Sequence, residues 1–294
     1  MKKAVLIVLC LCLAGIIPVA VYVSSLPDAR LHVYFLDVGQ GDAVLVQQGR
    51  TQVLIDGGPS PEALTRELGS IMPFWDRHIE LVISTHPHED HLAGLVEVLR
   101  RYGVGQIVES PAAAAANGAE YSLALYAEWR LLIKERVVPV IQAQAYQQLR
   151  LDETVIDILS PTPIPLSGTG SDIDNNAVAL RISRGTVSFL LTADMSFEGE
   201  YELRMERLAG ACTVLKAGHH GSRSSTTTDF LNVVKPGIVV ISVGQNNYGH
   251  PHPDVLARLE EMVGADNIYR TDQQCTLEFV TDGERLWLNL SARG

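Results

Sequence analysis

Seven of the nine histidines in this 294-residue chain fall into three tight groups: His86/His88/His91, His219/His220 and His250/His252. The first group lies in Thr85-His86-Pro87-His88-Glu89-Asp90-His91, which packs three imidazoles and two carboxylates into six residues. In an extended segment, alternate side chains point the same way, so His86 and His88 can face one cation. A turn into a following helix would aim Asp90 and His91 at a second cation. Imidazole and carboxylate donors suit zinc, manganese or iron. Two such ions about 3.5–4 Å apart can hold a hydroxide and stabilise the attacking and leaving oxygens of a displacement. Histidines scattered through a core would not collect in this way.

The surrounding elements must hold these side chains rigidly. The apolar run Ile79–Ser84 reads as a buried strand, and 92–102 as a helix ended by Gly103. Upstream, 31–39, 43–47 and 51–58 read as strands with a turn at 48–50, and 60–70 as a helix with Ser60 as N-cap and Pro61 at its first position. Downstream, 106–109, 137–141, 148–151 and 155–159 read as strands, and 120–135 as a helix. A second half repeats the pattern. Strands are expected at 177–183, 186–192, 212–216, 238–243, 276–280 and 285–290, and helices at 198–208, 226–234 and 254–263. Asp194, His219/His220 and His250 all follow strand ends. Two strand-rich halves with interspersed helices predict an α/β fold with sheets inside and helices outside.

Several blocks in order resemble the metallo-β-lactamase superfamily, and more narrowly the extracytoplasmic hydrolase domain of the ComEC family of competence DNA-uptake proteins. They are 35–42 (FLDVGQGD), 54–58 (LIDGG), 85–91 (THPHEDH), 174–176 (DNN), 190–194 (LLTAD), 215–222 (LKAGHHGS) and 247–251 (NYGHP). The resemblance spans residue 31 to about 290. It implies a four-layer αββα sandwich and hydrolysis dependent on two divalent ions, zinc or manganese. Carried over by position, the metal ligands are His86, His88, Asp90, His91, Asp194 and His220, with Asp194 bridging. His219 and His250, with Asp90, are the expected catalytic groups, His250 serving as ligand or as substrate contact. Lys216, Ser222 and Asn176 are expected to meet an anionic substrate, as is Arg223. This chain departs from the broad superfamily in having no histidine before the strand that bears Asp194. Asn176 stands there instead, so the His86/His88 site looks short of a ligand.

Composition narrows the substrate. The formal net charge of −11 argues against a basic track for duplex nucleic acid, although bound metals would locally reverse that sign. The histidine clusters and the family resemblance together imply a phosphodiester substrate, with single-stranded DNA as the candidate polymer. Another ester, such as a cell-wall phosphorylcholine ester or a β-lactam, is the alternative, and a non-catalytic metal-binding module at the membrane is a third. Residues 1–29 read as a basic start followed by about 20 apolar residues, long enough to span a bilayer. They predict a signal-anchor, or else a cleaved signal, placing the 30–294 domain outside the cytoplasm. No protein partner is identifiable. Outside that segment only Cys212 and Cys275 remain, which could pair in an oxidising compartment.

Overall fold

The computed structural model describes residues 28–112 and 121–290. The expected N-terminal anchor lies outside these residues; among the described helices none is long and apolar enough to cross a membrane.

The first half opens with three antiparallel strands, β1 (Leu31–Phe35), β2 (Val44–Gln48) and β3 (Thr51–Ile55). Helix α1 (Pro61–Ile71) starts as expected, with the Ser60 hydroxyl accepting from the backbone of Ala63. Then come β4 (His78–Ser84), α2 (Glu89–Arg101), β5 (Gly103–Glu109), α3 (Leu123–Arg136) and β6 (Val140–Gln142). Gly103 begins β5 rather than ending α2, whose C-cap is Tyr102. Strands β4 to β6 are parallel extensions of the same sheet.

The chain then builds a second sheet from β7 (Gln148–Leu151), β8 (Thr154–Ile158), a helical turn α4 (Asp172–Asn175), β9 (Leu180–Arg184), β10 (Val187–Leu191), α5 (Phe197–Met205), β11 (Val214–Lys216), α6 (Thr228–Val234), β12 (Ile238–Ile241), α7 (Pro253–Val263), β13 (Ile268–Arg270) and α8 (Thr271–Gln274). The last hairpin, β14 (Leu277–Thr281) and β15 (Leu286–Leu290), crosses back to pair with β1. The first sheet runs β15-β14-β1-β2-β3-β4-β5-β6 and the second β13-β12-β11-β10-β9-β8-β7. Strand β13 and turn α4 were not visible in the sequence pattern, because three or four residues are too few to show a period.

Alternation decides the layers. Leu31, Val33 and Phe35 point inward with Ile156, Leu180, Phe189 and Phe279 to fill the space between the sheets. Phe279 meets Phe35 and Phe189 edge to face at 5.8 and 6.0 Å. The outer face of the first sheet packs on α1, α2 and α3 through Leu64, Leu95, Leu99 and Trp129. The outer face of the second packs on α5, α6 and α7 through Leu203, Phe230 and Leu259. This is the α/β sandwich with helices outside that the sequence predicts.

One close approach seats the metal-binding stretch. A Cβ on Gly94 would lie 1.9 Å from the carbonyl oxygen of Gly57, so the first turns of α2 rest directly on the backbone leaving β3.

Candidate metal centre

Strand β4 ends at Ser84, and Thr85 to His88 continue extended until His88 caps α2. Glu89, Asp90 and His91 therefore occupy the first helical turn, where the helix N-terminus favours negative charge. The structure gathers the expected ligand residues into two adjoining groups. His86 Nε2 and His88 Nδ1 converge to 3.1 Å. The second half-site draws on both sheets. His91 Nε2 and His220 Nε2 each lie 3.3 Å from Asp194 Oδ2, and His220 Nε2 lies 3.4 Å from Asp90 Oδ2. The rings of His86 and His91 are 4.1 Å apart, so the two sets adjoin.

Asp174 joins the first set as a candidate ligand. Its Oδ1 lies 3.1 Å from His88 Nδ1 and 3.6 Å from His86 Nε2. The ligand atoms of His86, His88 and Asp174 lie within 4.8 Å of one another, as do those of Asp90, His91, Asp194 and His220. Asp194 thus groups with the second set, and Asp174 takes the position that the sequence reading left open.

The far side of three of these rings is tied down, which fixes the near nitrogen. His91 Nδ1 donates to Asp56 Oδ2 at 2.8 Å, and His220 Nδ1 donates to the Ser242 carbonyl at 2.9 Å. The Thr85 hydroxyl donates to Asp56 at 2.6 Å, so it accepts from His86 Nδ1 at 2.9 Å. Asp56 therefore orients two histidines, one directly and one through Thr85. The backbone is strained where these groups are presented: Asp56, Ala193, His219 and His220 all have positive φ, between 47° and 59°.

The donor set fits divalent metal. His91 Nε2, His220 Nε2, Asp174 Oδ1 and Asp194 Oδ1 are buried and make no hydrogen bond, an arrangement that is costly unless something positive lies between them. The electrostatics agree. Burial works against charge on His91, yet Asp194, Asp56 and Asp90 hold its pKa well above the usual imidazole value. Burial likewise opposes charge on His220, and Asp194 and Asp42 overcome it. Burial would raise the Asp194 pKa, but His220, His91 and His219 hold it well below the carboxylate range. His86 differs: burial, with the charge of His91, keeps it neutral and ready to bind. The site demands positive charge, supplied by protons when no metal is bound.

Beside the two sets is a cavity of about 360 Å³ walled by Gln40, Glu89, Tyr121, Tyr248 and His250 together with His88, Asp90, Asp194 and His220. His219 is the half-site neighbour that reaches it, with its side chain 31% exposed and Nε2 3.6 Å from Asp194 Oδ2. The His250 ring lies 5.7 Å from that of His219. Burial, together with His219 and His220, lowers the His250 pKa, so a neutral ring faces the cavity.

The four residues expected to contact substrate do not wall this cavity. Lys216 is buried; its ammonium lies 2.5 Å from Asp42 Oδ2 and donates to the Ala193 carbonyl. It balances a carboxylate packed behind His220 instead of meeting substrate. Asn176 accepts from the Leu166 backbone N–H and donates to the Leu166 and Asp172 carbonyls, so it clamps the loop carrying Asp174. Ser222 bonds Ser224 and is not among the residues walling the cavity. Arg223 pairs with Asp254 at 3.1 Å. Cys212 and Cys275 are both free thiols, Cys212 buried.

Sequence reasoning missed Asp174, Asp42 and Asp56. Asp174 was present in the Asp-Asn-Asn block; the available signal was its chemistry, because a carboxylate is a far better ligand for a hard or borderline cation than a carboxamide.

Residues 36–245 match the family described as the metallo-beta-lactamase superfamily. The chain is 29% identical over 267 residues to ComE operon protein 3 of Bacillus subtilis, covering 83% of this chain and 32% of that protein. It is 28% identical over 251 residues to Recombination protein 2 of Haemophilus influenzae, covering 84% and 29%. It thus spans about a third of the length of these curated relatives. Among solved structures, the metallo-beta-lactamase fold protein YhfI of Bacillus subtilis superposes with a TM-score of 0.55 at 14% identity, over 88% of this chain and 100% of that one.

Proposed function

The chain belongs to the metallo-beta-lactamase superfamily, and from that premise we propose that it is a metal-dependent phosphodiesterase that acts on single-stranded DNA outside the cytoplasm. One observation carries the reading: two adjoining histidine–carboxylate sets, each with buried donor atoms that make no hydrogen bond, open through His88, Asp90, Asp194 and His220 onto a surface cavity. The name of one matched relative, a recombination protein, supports nucleic acid as the substrate class. The extracytoplasmic placement and a membrane anchor rest on the sequence of residues 1–29.

His86, His88 and Asp174 would hold one divalent ion, zinc or manganese, and Asp90, His91, Asp194 and His220 the other. Two such cations supply positive charge against the entering and leaving oxygens of a phosphoryl centre. Asp56, Thr85 and the Ser242 carbonyl keep the ligand nitrogens aimed. His219, exposed at the cavity edge, is placed to give a proton to the leaving oxygen, and His250 offers a neutral ring beside it.

The test incubates the purified protein with bis-p-nitrophenyl phosphate and with a single-stranded oligonucleotide in Mn²⁺ or Zn²⁺. Metal-dependent cleavage is expected, reduced at least about 100-fold in Asp90→Ala/His91→Ala. No cleavage, or equal cleavage by that variant, refutes the proposal.

A second reading is favoured by one feature. No lysine or arginine is among the described residues walling the cavity, while Glu89, Tyr121 and Tyr248 are. That chemistry also suits the quaternary ammonium of a phosphorylcholine ester. Faster turnover of p-nitrophenyl phosphorylcholine than of any nucleotide diester would select it.

A further inference from the structure

Tyr248 is 76% exposed, yet its backbone is firmly held. It sits on the loop between β12 and α7, and Asn246 spends its whole carboxamide on that loop. The Asn246 nitrogen donates to the Gly244 and His250 carbonyls at 2.9 and 2.8 Å, and its oxygen accepts from the Tyr248 and His250 N–H groups at 3.1 and 3.0 Å. The Tyr248 ring lies 5.8 Å from His250 at an interplanar angle of 30°. From there rings continue inward, His250 to His219 at 5.7 Å and His219 to His220 at 6.0 Å. Tyr248 is thus the outer end of a row of rings that begins at the metal ligands.

Two cavities meet at this residue. The one over the metal sets shares Gln40, Glu89, Asp90 and Tyr248 with a second recess of about 570 Å³, which is completed by Gln245, Asn247 and their neighbours. Among the described residues neither wall contains a lysine or arginine, and both contain Glu89. A second phosphate would find no counter-charge in the recess. A neutral, planar group with hydrogen-bonding edges would find an aromatic face and several carboxamides. The Gln40 oxygen is engaged by the Gly244 N–H, which leaves its amide nitrogen to donate.

We propose that this recess is a nucleobase subsite. The base beside the scissile phosphodiester stacks on Tyr248, and its edge meets Gln40, Gln245 and Asn247. The assignment rests on the phosphodiesterase reading and deepens it. Affinity for a strand then comes from the metal centre and from stacking, not from a basic track, so binding falls only weakly with salt.

The experiment compares kcat/KM for a single-stranded oligonucleotide and for the same strand with abasic sites, in wild type, Tyr248→Phe and Tyr248→Ala. In parallel, a 2-aminopurine oligonucleotide is titrated with chelator-treated protein, which reads stacking without turnover. The intact-to-abasic ratio should fall about tenfold in Tyr248→Ala through a rise in KM, and stay near wild type in Tyr248→Phe. The 2-aminopurine fluorescence should be quenched by wild type and Tyr248→Phe only. Equal ratios in all three proteins, equal quenching by Tyr248→Ala, or a preference for a glycerol phosphate polymer or p-nitrophenyl phosphorylcholine overturns the subsite. Failure of wild type to cleave bis-p-nitrophenyl phosphate instead sinks the phosphodiesterase reading, and the quenching arm still decides whether Tyr248 takes a base.

Discussion

Asp174 and Asn176 are two residues apart and do opposite jobs. The Asp174 carboxylate faces His86 and His88, whereas the Asn176 carboxamide holds the Leu166 and Asp172 backbone. Asp174→Ala should therefore cut metal content toward one ion per chain, measured by elemental analysis after dialysis, and leave thermal stability of the metal-free protein little changed. Asn176→Asp should do the reverse. A carboxylate cannot donate to the two carbonyls, so stability should drop by about 1–3 kcal/mol in a denaturant titration while two ions still bind at saturating metal. If Asn176→Asp removed an ion and Asp174→Ala did not, the assignment would be reversed. Lys216 makes the same point about burial. Lys216→Met strands the Asp42 carboxylate behind His220, and a loss of about 3–5 kcal/mol is expected. A substrate-binding lysine would instead change KM and leave denaturation alone. The metal-binding types were legible because their spacing is chemical. The roles of Asn176, Lys216 and Ser222 were not, since burial and direction depend on the packing of distant segments.

At the scale of elements, the loop that presents His219 and His220 hangs on one buried acid. Glu200, on α5, accepts from the Thr226 and Thr227 backbone N–H groups and from the Thr227 hydroxyl, which is the N-cap of α6. Thr226 in turn accepts from the Gly218 N–H. Burial raises the Glu200 pKa to about 7 despite these donors. Because the folded value exceeds the unfolded one, near 4.3, the folded protein binds the extra proton. Stability from this group is then full below pH 4.3 and lost as pH rises through 7, a change on the order of 3 kcal/mol. Thermal midpoints from pH 4 to 8 should show that decline in wild type, and Glu200→Gln should flatten it. An unchanged profile in the variant would assign the slope to other groups. Long elements such as α1, α2 and α7 could be read from period and caps alone. The Asp172–Asn175 turn and β13 could not, being set by pairing and loop anchoring that leave no local pattern.

Across the whole molecule, the candidate ligands come from both sheets. His86, His88, Asp90 and His91 follow β4 of the first sheet, while Asp194 and His220 follow β10 and β11 of the second. The apolar layer between the sheets is extensive and independent of these residues, so the metal-free chain should remain folded. What bound ions would add is a partner for four buried donor atoms that make no hydrogen bond, at one end of the sandwich. Ions that bind the folded state at about a hundred times their Kd stabilise it by about 2.7 kcal/mol. In a chain of this size that is about 4–5 °C in Tm. Chelation should lower Tm by that amount without loss of secondary structure by circular dichroism, and Mn²⁺ or Zn²⁺ should restore it. Asp194→Ala should abolish most of the metal-dependent increment, because it removes the carboxylate that meets both His91 and His220. Unfolding on chelation would mean that the metals, not the intersheet core, hold the two sheets together. A Tm indifferent to metal while ions are demonstrably bound would place those ions away from the junction.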